Sequence, residues 1–156
     1  MVIEQPVDTV YAYVAEQFFR YYPEWTPEVV SFAPINRNPM KVGAMAKQVR
    51  IDQGQKVESV FEVTVMLKNQ RLELTGLSAP YRNTYLFARL SDHSCRLTFK
   101  FEIMQVEIFM RPFEKLIRRA IEEGAEATVT NIKNLLNHQV HDESVDTGAG
   151  AAFPAV

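Results

Sequence analysis

The chain has 156 residues, enough for one domain with a substantial core, and 47% of them are hydrophobic against 23% charged. Its 17 basic and 19 acidic residues give a formal net charge of −2, which offers no electrostatic case for a nucleic-acid partner. Cys95 is the only cysteine, so an intramolecular disulfide and a cysteine-based metal site are both excluded.

The sequence shows no sign of a targeting or membrane-spanning segment. The first ten residues lack the basic and apolar regions of a secretory signal. No apolar run approaches the ~20 residues that cross a bilayer, and a single cysteine fits a reducing compartment. We therefore expect a soluble, cytoplasmic protein with no integral membrane association.

The N-terminal part of the chain predicts a strand stub followed by two short helices. Residues 1–4 have room only for a short strand. Apolar residues at spacings of three and four predict an amphipathic helix over 6–17, with Pro6 in its first turn. The aromatic segment FFRYYPEWTPE contains two prolines and predicts a helical turn and a bend.

From Glu28 onward the pattern changes to that of β-strands. Among the six strands it predicts, the clearest pair is a hairpin of strands 56–67 and 71–76. A two-residue turn between them pairs Leu67 with Leu72 and puts both apolar sets on one face. The predicted inward residues of this hairpin are Phe61, Val63, Val65, Leu67, Leu72 and Leu74.

A second predicted hairpin joins strands 82–90 and 95–104. The inward residues of its second strand are Leu97, Phe99, Phe101 and Ile103. Its first strand is apolar on both faces, so two orientations stay open. An even-length turn would point Leu86 inward and leave Tyr85 and Phe87 outside, whereas a bulged three-residue turn would reverse this.

A long amphipathic helix is predicted from about Pro112 to about Leu136. The stripe expected to face the sheet is bulky at its ends and small in the middle: Phe109, Phe113, Ile117, Ala120, Gly124, Ala127, Asn131 and Leu135. Gly124 costs about 1 kcal/mol relative to alanine in a helix interior. Space for a ligand would explain it, and so would a large sheet residue such as Phe61 or Phe99 packed over it. Residues 138–156 have no apolar period and are predicted to form a disordered tail.

The predicted order of strand, two helices, six strands and long helix is that of an α+β fold. Its characteristic segments are IEQPVDTVYAYVAE near the start, WTPEVV at 25–30, the Val42-Gly43 strand opening and CRLTFKFEI at 95–103. In these residues and their order, over 1–137, the chain resembles the START-like superfamily in its polyketide cyclase/dehydrase and lipid-transport branch, also called SRPBCC proteins. The resemblance implies the helix-grip fold, in which a curved antiparallel sheet wraps around the C-terminal helix and leaves a cavity.

The resemblance also implies that the cavity binds or transports a small hydrophobic or amphipathic ligand, such as a lipid, a polyketide or an aromatic compound. The superfamily shares no catalytic motif, so no catalytic residue is carried over from it. The residues themselves predict no metal site and no cofactor. The Asn131 amide either orients the ligand or forms its hydrogen bonds with backbone groups. The predicted ligand-binding residues are Trp25, Phe61, Val63, Val65, Leu72, Leu74, Phe99, Phe101, Phe113, Ala120, Gly124, Ala127 and Asn131.

Two other functions stay open. A polyketide cyclase or dehydratase acting in the same cavity needs an ionisable group there to move a proton, whereas the alternation points most charges outward. A protein-interaction module, or a homodimer, would follow if Tyr85 and Phe87 form an exposed aromatic patch.

Overall fold

Seven strands of the described chain form one curved antiparallel sheet in the order β1-β7-β6-β5-β4-β3-β2. The computed structural model describes residues 1–35, 39–104 and 108–152, with the side chains of the last segment described over 111–138. The strands are β1 Val2–Ile3, β2 Val29–Pro34, β3 Met45–Asp52, β4 Gln55–Leu67, β5 Arg71–Gly76, β6 Tyr81–Ser91 and β7 Ser94–Ile103. The predicted strand run is confirmed, and the sheet is antiparallel throughout.

The helices lie before and after the strand run. They are α1 Val7–Tyr11, a π-helical turn Ala12–Glu16, α2 Phe18–Trp25, a 3₁₀ turn Ile108–Phe113 and α3 Glu114–Ala152. In the π turn the Gln17 N–H donates to the Ala12 carbonyl at 2.9 Å, which widens the helix by one residue. The two short N-terminal helices and the long C-terminal helix are therefore confirmed. None of the described helices combines the length and apolarity needed to cross a bilayer.

The β4–β5 hairpin differs from its prediction by a bulge and a longer turn. The structure pairs Leu67 with Arg71 and Met66 with Leu72, and the register shifts between Val63 and Val65. Asn69, in the turn, has a φ of +60°, which asparagine tolerates better than most residues. The predicted two-residue turn is wrong, and so is the inward position of Val65 and Leu67. Both lie on the outer face, and Met66 takes the inward position beside Leu72.

The β6–β7 hairpin resolves the orientation that the sequence left open. Tyr85 pairs with Phe99 and Phe87 with Leu97, and a bulge lies between Arg89 and Ser91. Cross-strand partners share a face, so Tyr85 and Phe87 point to the inner face, where they are 1% and 6% exposed. The exposed aromatic patch that an interaction module would use is therefore not formed by these two residues.

Only part of α3 is packed against the rest of the fold. The helix contacts β7 and α2, and among its described side chains, up to His138, the buried ones are Val129, Ile132 and Leu136. Ala120, Gly124 and Ala127 are exposed, so the stripe expected to face the sheet lies beside the buried line. The inward position predicted for Phe109 falls outside the described side chains.

The helix also continues beyond its expected end near Leu136, to Ala152. The side chains after His138 lie outside the described residues. The domain limit at residue 137 and the disorder of 138–156 stay predictions.

The best-packed part of the core lies between α2 and the inner face of the sheet. The ring of Phe18 lies 4.6 Å from that of Tyr22, 6.0 Å from that of Phe61 and 6.2 Å from that of Tyr85. Edge-on and offset contacts of this kind add to the burial of apolar area. Strong packing at this end contrasts with residues 114–128 of α3, none of which is buried.

Candidate ligand-binding site

The inner face of β6 and β7 carries aromatic rings that the helices leave partly uncovered. Tyr81 stacks on Phe101 with ring centroids 5.7 Å apart, and Phe99 lies 4.8 Å from Tyr85. Tyr81, Phe99 and Phe101 are half-buried, whereas Tyr85 is buried beneath the helices. We call Tyr81, Phe99 and Phe101 the aromatic floor, since they offer flat apolar surface on the helix side of the sheet.

Gly76 allows the ring of Tyr81 to lie where it does. A Cβ at Gly76 would come within 2.5 and 2.6 Å of two Tyr81 ring carbons. The ring therefore crosses directly over the backbone of β5. The Tyr81 hydroxyl is buried and makes no hydrogen bond of good geometry to any described residue. Burial raises its pKa, although nearby Ser59 and Gln48 oppose the rise.

A chain of buried hydrogen bonds runs beside the aromatic floor, beneath α2. The Tyr22 hydroxyl donates to Gln48 Oε1 at 2.8 Å, and Gln48 Nε2 donates to Ser59 Oγ at 3.0 Å. Burial raises the pKa of Tyr22 to about 12, against the opposing charge of Arg50. Tyr22 is therefore a neutral hydrogen-bond donor at physiological pH.

Arg50 is a cation on the inner face that the sequence interpretation missed. It pairs with Val57 across β3 and β4, in the alternation that also points Ala46 and Gln48 inward. Its guanidinium lies 3.7 Å from the Asp52 carboxylate and is partly exposed. The alternation that places Arg50 inward can be read in the strand MAKQVRID. Ala46, Gln48 and Arg50 occupy every second position there, between exposed or half-buried residues.

Trp25 and Asn131 join three elements at one end of the aromatic floor. Trp25 Nε1 donates to the Tyr85 hydroxyl at 3.3 Å, and Asn131 Nδ2 donates to the Trp25 carbonyl at 3.2 Å. Burial, together with the nearby Tyr22, raises the pKa of Tyr85. Asn131 therefore holds α3 to the end of α2, as the backbone-satisfied alternative predicted.

Gly124 faces open space. A Cβ added there would meet no described atom within 4 Å, so the explanation by a large sheet residue packed over it is wrong. Ala120, Gly124, Ala127 and Asn131 follow at spacings of four, three and four and share one flank of α3. We call the first three the small flank. Beyond it the apolar side chains are exposed by 52% at Phe113 and 67% at Leu116.

A shallow groove of about 420 Å³ lies beside the α2–α3 contact. Its lining residues are Glu24, Pro27, Asn131, Asn134, Leu135 and His138. Among the residues that the structure describes, no group of three histidine, cysteine or acidic side chains could hold a metal ion.

The predicted ligand-binding residues fall into four groups. The fully packed ones are Trp25, Phe61, Val63, Leu72 and Leu74, each at most 2% exposed. Phe99 and Phe101 belong to the aromatic floor, and Phe113, Ala120, Gly124, Ala127 and Asn131 lie along α3. Val65 is on the outer face. The inward polar residues that the prediction missed are Tyr22, Gln48, Arg50, Ser59, Tyr81 and Asn83.

The family model for polyketide cyclase/dehydrase and lipid transport proteins matches residues 1–137. The chain belongs to this family. No protein of curated function matches it in sequence.

Solved structures of low sequence identity share the fold. The protein TTHA0849 from Thermus thermophilus is 21% identical, with 86% of this chain and 91% of that chain covered and a TM-score of 0.65. Norcoclaurine synthase from Thalictrum flavum, in complex with dopamine and hydroxybenzaldehyde, is 13% identical over 88% and 83% of the two chains, with a TM-score of 0.64. A START superfamily protein from Mycobacterium smegmatis is 16% identical over 86% and 94%, with a TM-score of 0.58. These likenesses show the helix-grip fold predicted from the sequence.

Proposed function

We propose that this family member binds a small apolar or amphipathic molecule in an open groove between the small flank of α3 and the aromatic floor. The observations that carry the proposal are the half-buried rings of the aromatic floor and the exposed position of Gly124, where a Cβ would meet no described atom within 4 Å. A glycine in a helix interior costs ~1 kcal/mol relative to alanine. At Gly124 no neighbouring residue requires the absence of a side chain, so packing does not explain this cost. A bound molecule would use that space.

The exposed apolar surface around the groove supports the same proposal. Ile103 and Met104 at the end of β7 are 37% and 54% exposed, beside the half-buried floor. Contiguous exposed apolar surface marks binding sites in soluble proteins. Each Å² of it that a ligand covers contributes about 25 cal/mol, less the cost of association.

The packed residues have a supporting role in this proposal. Trp25, Phe61 and Leu72 lie within the core, where they hold the sheet and α2 in place. The norcoclaurine synthase structure holds dopamine and hydroxybenzaldehyde, so a protein of this fold accommodates small aromatic molecules. That precedent favours a flat ligand over the aromatic floor.

The test fills the groove from the helix side. N-phenyl-1-naphthylamine, which fluoresces on entering an apolar site, is titrated into the wild type, Gly124→Leu and the control Glu122→Leu. Successive helix residues are about 100° apart, so Glu122 points away from Gly124. We expect saturable binding to the wild type and the control, and loss of binding in Gly124→Leu with an unchanged or raised melting temperature. Absence of saturable binding to the wild type, or full binding to Gly124→Leu, would refute the proposal.

One observation favours a second function, a cyclase or dehydratase acting on a polyketide. Arg50, which is partly exposed on the inner face, could stabilise an enolate that develops on a ligand carbonyl. At neutral pH, Tyr22 is a donor and not a base, so this function also needs a base for the proton. Turnover of a synthetic poly-β-ketone that disappears in Arg50→Met, with probe binding retained, would establish it. Equal product formation with and without the protein would exclude it for that substrate.

A further inference from the structure

Asn83 places an unsatisfied amide oxygen on the helix side of the sheet, next to the aromatic floor. Its side chain is 7% exposed, and Oδ1 is buried without a hydrogen-bond partner among the described residues. The cross-strand partners of Asn83 are Leu74 on β5 and Phe101 on β7. Both are apolar, so neither side chain can donate to it.

Such an oxygen is unusual in a folded protein. Nearly all buried polar groups have a hydrogen-bond partner, because leaving one unpaired forfeits its hydration without replacement. The inward polar residues two positions away on the same strand are Tyr81, whose ring crosses Gly76 toward Ser59 and Gln48, and Tyr85, whose hydroxyl is bound to Trp25 Nε1. The protein therefore provides an acceptor beside an apolar surface and leaves its donor to come from elsewhere.

We propose, on the basis of the groove described above, that the ligand is a flat apolar molecule with a hydroxyl group that donates to Asn83 Oδ1. The aromatic floor selects a planar body, and the amide oxygen selects a donor on its edge. A site built to pair a ligand hydroxyl discriminates against the same molecule without it, because the buried acceptor is then left unpaired. Phenol-type molecules fit this description, whereas plain hydrocarbons do not.

The neighbouring residue provides a matched control. Thr84 is also buried, at 2% exposure, and its hydroxyl also has no partner among the described residues. It pairs with Glu73 and Lys100 on the outer face, away from the groove. Thr84→Val therefore removes an unsatisfied polar atom of the same strand without touching the ligand side.

The test compares two molecules that differ by one hydroxyl. Naphthalene and 2-naphthol displace N-phenyl-1-naphthylamine from the wild type, Asn83→Leu, Asn83→Ala and Thr84→Val, and the ratio of their affinities is measured for each. We expect the ratio to favour 2-naphthol by about tenfold more in the wild type and in Thr84→Val than in the two Asn83 variants. Asn83→Leu is also expected to melt at or above the wild-type temperature, since it removes an unsatisfied buried group.

The outcomes separate this inference from the proposed function. If both molecules bind the wild type and the ratio is the same in all four proteins, the hydroxyl contact is refuted and the apolar groove stands. If no probe binds the wild type, the groove itself is refuted and the hydroxyl contact falls with it. A sharply lowered melting temperature in both Asn83 variants would mean that the amide has a structural partner, and would also overturn the inference.

Discussion

Replacement of Gly76 by alanine tests the position of Tyr81, on which the shape of the aromatic floor depends. The new methyl group would lie 2.5 and 2.6 Å from two carbons of the Tyr81 ring, and closer still to the Ala79 carbonyl oxygen. The ring can swing away at modest cost, but the carbonyl belongs to the backbone of the β5–β6 turn and cannot. Overpacking of this kind costs about 1–3 kcal/mol, and we expect the upper end because a backbone atom must move.

The expected loss is large enough to measure against a control from the same chain. A change of about 3 kcal/mol corresponds to a melting temperature lowered by about 6–12 °C in a domain of this size. Gly124→Ala provides the opposite case, because its methyl group meets no described atom within 4 Å and the substitution favours the helix by about 1 kcal/mol. We expect urea denaturation to give destabilisation for Gly76→Ala and stabilisation for Gly124→Ala. If the free energy of unfolding of Gly76→Ala stays within about 0.5 kcal/mol of the wild type, as for an ordinary surface substitution, the Ala79 carbonyl and the Tyr81 ring do not both lie against Gly76.

Two further predictions concern buried polar groups. Gln48→Leu is expected to destabilise the fold by about 2–4 kcal/mol in urea denaturation, because it leaves Tyr22 and Ser59 without their partner. The effect is expected to shrink in a Tyr22→Phe background, and full additivity would contradict the hydrogen-bond chain. Burial raises the pKa of Cys95 to about 11 from 9.0, so native protein at pH 8 is expected to react with a thiol reagent only after denaturant is added. Because the folded thiol holds its proton more tightly, stability falls as pH rises from 9.0 to about 11, and this fall is expected to be smaller in Cys95→Ala.

The sequence predicted the order of the elements well because their periodicities are strong and local. The short helices at the start, the strands β4 to β7 and the long final helix are all present in the structure. The inward positions predicted for Val65 and Leu67 on β4 are wrong because the strand contains a bulge. An extra residue between Val63 and Val65 reverses every following side chain of the strand. No glycine or proline marks this bulge in the sequence.

The prediction of which side of α3 faces the sheet was wrong for a different reason. A stripe with a small middle faces the sheet only if the helix lies flat on the sheet along its whole length. The buried residues instead follow Val129, Ile132 and Leu136, and these lie on a neighbouring line of the same amphipathic helix. Where a helix docks is decided by partners distant in sequence, which periodicity alone cannot supply.

The polar part of the site is hard to predict because its residues are mostly neutral and lie within strands. Ionisable pairs and metal-like spacings are conspicuous in a sequence, whereas single amides and hydroxyls are not. Gln48, Ser59 and Asn83 each occupy a position in an alternating pattern that normally holds an apolar side chain. An inward amide or hydroxyl in such a pattern costs free energy unless paired. A polar residue at a position where the alternation requires an apolar one is therefore the signal by which such residues can be found in a sequence.

The mode of attachment of α3 would keep the proposed groove open. Ile132 is fully buried, Gln5 Nε2 donates to the Leu136 carbonyl at 3.1 Å, and Asn131 is bound to the Trp25 carbonyl. These contacts all lie at Asn131 or after it. No residue from 114 to 128 is buried, and the small side chains of Ala120, Gly124 and Ala127 lie in that part of the helix. Large apolar residues on that flank would gain about 25 cal/mol for each Å² they buried against the aromatic floor, and the helix would close down on the sheet. Small residues at Ala120, Gly124 and Ala127 remove that gain, which would leave the proposed groove open until a ligand supplies the missing apolar surface.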